Sequence, residues 1–216
     1  MLYRKKSDWI LPFTSNRKVL DLGCVQHTLE YANDPEWLHG QIAHQASSLT
    51  GVDYLEKESK ELQKRGFDIR IMNVETMELN EKFDVIVAGD IIEHLSNIGM
   101  FLESTVKHMH SESIFLVSTP NPVNILRFLR VLFSGKVGGN KEHTCWFTDK
   151  MLNQLAARYG LEPVEISYVD DSYQWLSRRR KIKWAPWLLL NFLLCRLRPA
   201  LSETLCMSFR LKSTNG

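Results

Sequence analysis

Acidic, amide and imidazole side chains of this chain collect just after short apolar runs, where a strand would hand over to a loop. Asp21, Gly23 and Cys24 stand at the end of the run at 19–22, and Asp53 follows 49–52. Asn73, Val74 and Glu75 follow 69–72, and Gly89, Asp90, Glu93 and His94 follow 85–88. In a doubly wound sheet, ligands sit outside the C-terminal ends of the strands, so these positions carry the chemistry. A carboxylate after the second strand accepts hydrogen bonds from two neighbouring hydroxyls, which suits a ribose. Asn73 can accept from an exocyclic amine while the Val74 N–H donates to a ring nitrogen, and together they would read an adenine edge. His94, and His143 in the later stretch "KEHTCWFT", are the best candidates to move a proton, because an imidazole titrates near neutral pH.

Each position also has a purely structural explanation. Asp21 and Asp53 can cap the helices that follow them. Glu93 and His94 can simply hydrogen-bond at the strand end, and His143 with Trp146 can close a lid onto the sheet. The stretch "VLDLGCVQHTLEYA" resembles a nucleotide loop short of glycines, with Val25, Gln26 and His27 where glycines would continue it. Side chains there restrict both φ and the approach of a ligand. The His27 ring either partners a ligand carboxylate or fills space. No carboxylate or histidine cluster demands a metal.

The elements that must hold these residues follow from pattern. A chain of 216 residues, 44% hydrophobic, buries one sizeable core and is expected to form a single domain, 1–216. Apolar runs at 19–22, 49–52, 69–72, 85–88 and 114–117 alternate with helical stretches, which predicts a parallel sheet of β-α-β units. The stretch "YLEKESKELQKRG" is helical, with Glu56–Lys60 and Lys57–Glu61 spaced i,i+4 and Gly66 as its stop. "NIGMFLESTVKHMH" and "TDKMLNQLAARYG" give further helices, the latter opened by Thr148 and closed by Gly160. "LEPVEISYVDD" and "ETLCMSFRLK" are strands expected to pair antiparallel at one edge. Residues 28–48 are longer than a crossover helix requires, either an insertion over the loop or extra packing. The start, "MLYRKKSDWILPF", is cut by Pro12 and predicts a solvated helix or arm rather than a signal peptide.

A formal net charge of +2 argues against a general nucleic-acid binder. Cys24, Cys145, Cys195 and Cys206 are widely spaced, without a C-x-x-C pair, so neither a disulfide framework nor a zinc site is expected, and a reduced, cytoplasmic setting is.

In order and spacing, "VLDLGC", "GVDYLE", "NVETMEL", "FDVIVAGDIIEHL", "STPNP" and "EHTCWF" resemble the motifs of class I S-adenosylmethionine-dependent methyltransferases, nearest to the ubiquinone-type and sugar-modifying groups. The resemblance runs over about 19–160. It implies an α/β, Rossmann-like, seven-stranded, mostly parallel sheet with an antiparallel final strand and helices on both faces. It further implies S-adenosylmethionine as cofactor, held by Asp21, Gly23, Cys24, His27, Asp53, Tyr54, Asn73, Val74, Gly89 and Asp90. Asp53 would bind the ribose, Asn73 replaces a usual aspartate beside the adenine, and Asp90 passes under the methionine portion. His94 and His143 are the candidate bases for an O-methylation of a small, sugar-like or lipid-linked acceptor. The competing reading is a non-catalytic member that lost cofactor affinity through Val25 and His27. A dinucleotide oxidoreductase would require G-x-G-x-x-G, which is absent.

Two segments, 122–142 and 178–198, join apolar runs to basic residues, with seven basic residues and no acid in the second. Both suit an interfacial helix on anionic lipid, which makes peripheral membrane contact an expectation. A cap on the domain or a homodimer contact is the alternative.

Overall fold

The computed structural model describes residues 1–26, 28–137, 140–171, 179 and 185–213. Strands β1 (Leu2–Tyr3), β2 (Lys18–Leu22), β3 (Ser48–Asp53), β4 (Ile69–Ile71), β5 (Phe83–Gly89), β6 (Met109–Pro120), β7 (Leu161–Val169) and β8 (Thr204–Leu211) form one sheet. Their order is β1-β7-β8-β6-β5-β2-β3-β4. β2 to β6 pair in parallel, and β8 runs antiparallel between β6 and β7. The helices are α1 (Lys6–Thr14), α2 (Leu38–Ala43), α3 (Glu56–Lys64), α4 (Ile98–Lys107), α5 (Ile125–Ser134), α6 (Asp149–Ala157) and α7 (Ala185–Leu197).

The sheet therefore has eight strands where the sequence predicted seven. The addition is β1, whose two residues pair in parallel with Tyr168 and Val169. Two residues carry no periodicity to detect, and only the open edge of β7 gives them a partner. That pairing also moves the late antiparallel pair off the sheet edge. The apolar runs split by parity, as a pleated strand requires. Val19, Val85 and Val87 pack on one face with Trp9 and Ile10 of α1 and Ile42 of α2. Leu20, Leu22, Ile86 and Ala88 pack on the other with Phe101 and Leu102 of α4 and Leu152 and Ala156 of α6.

The N-terminal helix departs from its expected solvated state. Trp9 and Ile10 are fully buried, and α1 continues through Pro12. Their neighbours Leu11 and Phe13 pack partly into the same cluster, so α1 covers the sheet, and Lys6 at its start is itself half-buried. Thr148 caps α6 as predicted, its hydroxyl accepting the Met151 N–H at 3.4 Å.

Residues 28–48 form a 3-10 turn, Leu29–Asn33, followed by α2. Trp37 anchors them, packing with Cys24, Val25, Leu62 and Ile69 and donating its indole N–H to the Cys24 carbonyl at 2.9 Å. Gly51 in β3 makes this packing possible. A Cβ there would lie 2.6 Å from both Cys24 Sγ and Ile69 Cδ1, and 2.9 Å from His39 Cε1. Gly51→Ala is expected to overpack this corner and destabilise the protein by about 1–3 kcal/mol. Urea unfolding of variant and parent measures it, and an unchanged midpoint would show that the corner yields without strain.

Candidate active site

A cavity of about 950 Å³ opens at the C-terminal ends of β2, β3 and β5 and the loop after β4. Of the residues singled out in the sequence, Gly23, Asp53, Tyr54, Asn73, Val74, Gly89, Asp90, His94 and His143 line it. Asp21 and Cys24 are not part of its lining. The Asp21 carboxylate is buried against His39 Nδ1 at 2.9 Å, and Cys24 is buried in the Trp37 cluster. Burial beside Asp21 and Asp53 raises the Cys24 thiol well above its ordinary pKa, so it stays protonated. His27 lies outside the described residues.

The loop after β2 turns at Gly23, whose φ of 74° belongs to the left-handed region that glycine enters without strain. Val25, the residue expected to obstruct a ligand, points elsewhere. Its side chain is 2% exposed and packs with Trp37 and Leu62, while its backbone N–H donates to Asp53 Oδ2 at 3.0 Å. Gln26 takes up the left-handed turn at φ 53° and lines the cavity in its place.

Asp53 sits at the end of β3, 4% exposed, with Oδ1 accepting the Leu55 N–H at 3.0 Å. Each carboxylate oxygen thus uses one lone pair on the backbone and keeps another. The Leu55 N–H belongs to the residue before α3, so Asp53 does not cap the first turn of that helix as the capping reading expected, and its anchoring is compatible with the predicted ligand role. Asn73 Oδ1 accepts the Glu75 N–H at 2.9 Å, folding the turn after β4, and Glu75 in turn accepts the N–H groups of Ser96 and Asn97 at 2.7 Å. Val74 is buried beside it.

The other wall is electrostatic. Asp90 adopts φ 51° and accepts a hydrogen bond from the Ser118 hydroxyl at 2.8 Å. It also forms an ion pair with Lys6, from the first turn of α1. Burial disfavours the charge on Asp90, yet the Lys6 ammonium outweighs it and holds the carboxyl below its ordinary range. Burial likewise opposes the charge on Lys6, and Asp90 with Asp171 overcomes it, raising the Lys6 pKa. The sequence offered no signal for Lys6, because its partner lies 84 residues away.

Glu93, His94 and His143 come together across the cavity. Their ligand-capable atoms all lie within 4.8 Å of one another, a spacing that a divalent cation could bridge. The two imidazoles meet edge to face at 4.7 Å. Thr144 fastens the second one in place, its hydroxyl donating to the carbonyls of Glu93 and Leu95 at 3.1 and 2.8 Å. Burial first, then the charges of His94 and Arg127, lower the His143 pKa, so its ring is neutral at pH 7. Its Nδ1 is buried without a hydrogen-bond partner, as is Glu93 Oε1. Glu93 Oε2 accepts from the Thr119 hydroxyl at 2.9 Å. Burial and the neighbouring Asp90 charge push the Glu93 carboxyl up to about 8.

That shift makes stability depend on pH. Between the ordinary value of 4.5 and about 8, the unfolded chain releases a proton that the native chain keeps, so this contribution falls as pH rises. Glu93→Gln is expected to remove a loss on the order of a few kcal/mol over that window. Urea midpoints near pH 5 and pH 8, taken in EDTA, measure it. An equal fall in variant and parent would assign the slope to other groups.

A family model described as a methyltransferase domain matches residues 2–166. Among curated proteins, the chain is 29% identical over 101 residues to the (S)-coclaurine N-methyltransferase of Papaver somniferum, covering 47% of this chain and 29% of that protein. It is 26% identical over 113 residues to the ubiquinone biosynthesis O-methyltransferase of Rickettsia prowazekii (strain Madrid E), covering 50% and 41%. The chain thus spans less than half the length of either relative. An S-adenosylmethionine-dependent methyltransferase structure from Archaeoglobus fulgidus superposes with a TM-score of 0.63 over 95% of this chain and 91% of that one, at 16% identity. The magnesium protoporphyrin IX methyltransferase of Synechocystis PCC 6803, solved with S-adenosylhomocysteine, gives 0.58 over 96% and 78%, at 12% identity. At such identities the structural likeness speaks for the fold.

Proposed function

This chain belongs to the methyltransferase-domain family, and from that premise we propose that it binds S-adenosylmethionine and methylates an oxygen of a small, sugar-like or lipid-linked acceptor. The observation that carries the cofactor assignment is Asp53: a buried carboxylate on the cavity wall, fixed by two backbone N–H groups, with lone pairs left for two ribose hydroxyls. Gly23 and Gln26 form the turn beside it, and Asn73 with the Val74 N–H would face the adenine. Lys6 and Asp90 stand at the opposite end of the cavity, where the zwitterionic methionine portion would lie. Val25, turned into the core, does not stand in the way, which weighs against the non-catalytic reading.

When bound, the cofactor supplies an electrophilic sulfonium methyl. The protein's share is to hold the acceptor in line and to take up the proton that its hydroxyl loses as the C–O bond forms. His143 is placed for that, with a neutral ring at pH 7 and an unpartnered Nδ1 in the cavity wall. His94, packed against its edge, orients it or shares the role. Glu93 keeps its own proton at neutral pH and so cannot serve as the base there. The apolar groove of about 490 Å³ between Phe128, Val131, Trp146 and Leu201 takes Trp146 from the same segment as His143 and supports an acceptor with an apolar portion.

Calorimetric titration with S-adenosylmethionine and S-adenosylhomocysteine tests the reading, and no heat with either would overturn it. Asp53→Ala is expected to weaken both by about 1–3 kcal/mol, the cost of removing a partner from buried hydrogen bonds. An unchanged dissociation constant in the folded variant would remove Asp53 from the site. With an active acceptor, His143→Gln should lower kcat about 10²–10⁴-fold. The parent's acid limb should fall below pH 6.5, since the His143 pKa is lowered from that value. A variant that keeps full kcat would assign the proton to another group.

A further inference from the structure

Helix α5 contains seven apolar residues among its ten, yet none of them is buried. Phe128, Leu132 and Phe133 are 59%, 62% and 74% exposed. Helix α7 repeats the situation: Trp187, Leu189, Leu193 and Leu197 are exposed, and only Asn191 and Cys195 are buried. The two surfaces are continuous, because the rings of Phe133 and Trp187 meet edge to face at 6.5 Å. An apolar area of this kind, left in water, marks an interaction surface.

The charge around it selects the partner. Residues 122–141 contain four basic residues and no acid, and residues 178–198 contain seven basic residues and no acid. Of these, Arg130, Lys136, Arg196 and Arg198 are exposed on or beside the two helices. Arg178, Arg180, Lys181 and Lys183 lie outside the described residues and enter only through their charge. A second copy of the chain would be a poor cover, because a two-fold contact sets a patch against itself and would bring these cations face to face. Anionic lipid answers both features, since basic residues meet the headgroups while apolar side chains enter the acyl boundary. Among the described residues, no helix is long and apolar enough to cross a membrane. The described part of α7, 13 residues, extends about 20 Å against the roughly 30 Å of a hydrocarbon core.

We propose that the outer halves of α5 and α7 form a docking surface that lays this protein on an anionic bilayer. Arg127, stacked 4.2 Å over the Trp146 ring, ties the root of α5 to the segment that carries His143. The surface is thereby fixed relative to the cavity. Docking stands independently of the methyl-transfer reading. Delivery of a lipid-linked acceptor from the bilayer to the cavity rests on that reading.

The test is co-sedimentation of the full chain with vesicles of phosphatidylglycerol in phosphatidylcholine and of phosphatidylcholine alone, at low and high salt. Binding is expected on the anionic vesicles and should weaken at least about tenfold on neutral ones or in high salt. Arg130→Ser with Lys136→Ser should lose about 25-fold, at about fivefold for each cation near an anionic surface. Leu132→Ser with Phe133→Ser should lose about tenfold or more, while circular dichroism stays that of the parent, since these side chains are exposed. No binding, equal binding to both lipids, or variants that bind like the parent would overturn docking. So would sedimentation velocity showing a dimer without vesicle binding. Cofactor titration on the same samples separates failure of docking from failure of the methyl-transfer reading.

Discussion

The Asp53 carboxylate holds two chain segments at once, through the Val25 N–H on one oxygen and the Leu55 N–H on the other. A carboxylate that deep is costly to bury unless its oxygens find donors, and here the donors are the loop after β2 and the start of α3. The loop is held a second time where the Gly23 N–H donates to the Val52 carbonyl at 2.8 Å. Both bonds depend on the parallel register that sets Leu22 beside Val52. The floor of the cavity is therefore a consequence of strand pairing, and the Val25 side chain can turn into the core because its backbone is already anchored.

The opposite wall depends on how one charge is distributed between two acids. Asp90 and Glu93 are three residues apart, and burial disfavours both anions. Lys6 compensates one of them. Asp90 is held ionised by the ammonium, while Glu93, with Asp90 already charged beside it, keeps its proton to about pH 8. Two carboxyls with separated proton affinities at one site are thus produced by a single cation brought in from α1. The burial of Trp9 and Ile10 is what keeps that cation there, so packing on one face of the sheet sets the electrostatics at its end.

The apolar residues outside the sheet follow another logic. On β2, β5 and β6 they are divided between two faces and covered on both. On α5 and α7 they have no covering element among the described residues, and neither helix contains an acid, whereas in α3 acids alternate with lysines and leave its outer face well solvated.

The sequence by itself determined the parallel β-α-β core, the strand ends and the cavity positions just after them, because apolar runs of strand length and the acids after them are local signals. Asp53, Asn73, Val74, Gly89 and Asp90 could be picked out for that reason, and so could the capped start of α6. Tertiary structure alone decided the eighth strand, since a two-residue edge has no pattern of its own and is defined by its partner β7. It also decided that Asp21 faces His39 and that Val25 turns inward, because a side chain's direction in a loop depends on what Trp37 and Gly51 leave open. The meeting of Lys6 with Asp90, and of His143 with His94, was equally out of reach. Charges and rings that far apart in the chain interact only after the sheet has set the distance between them.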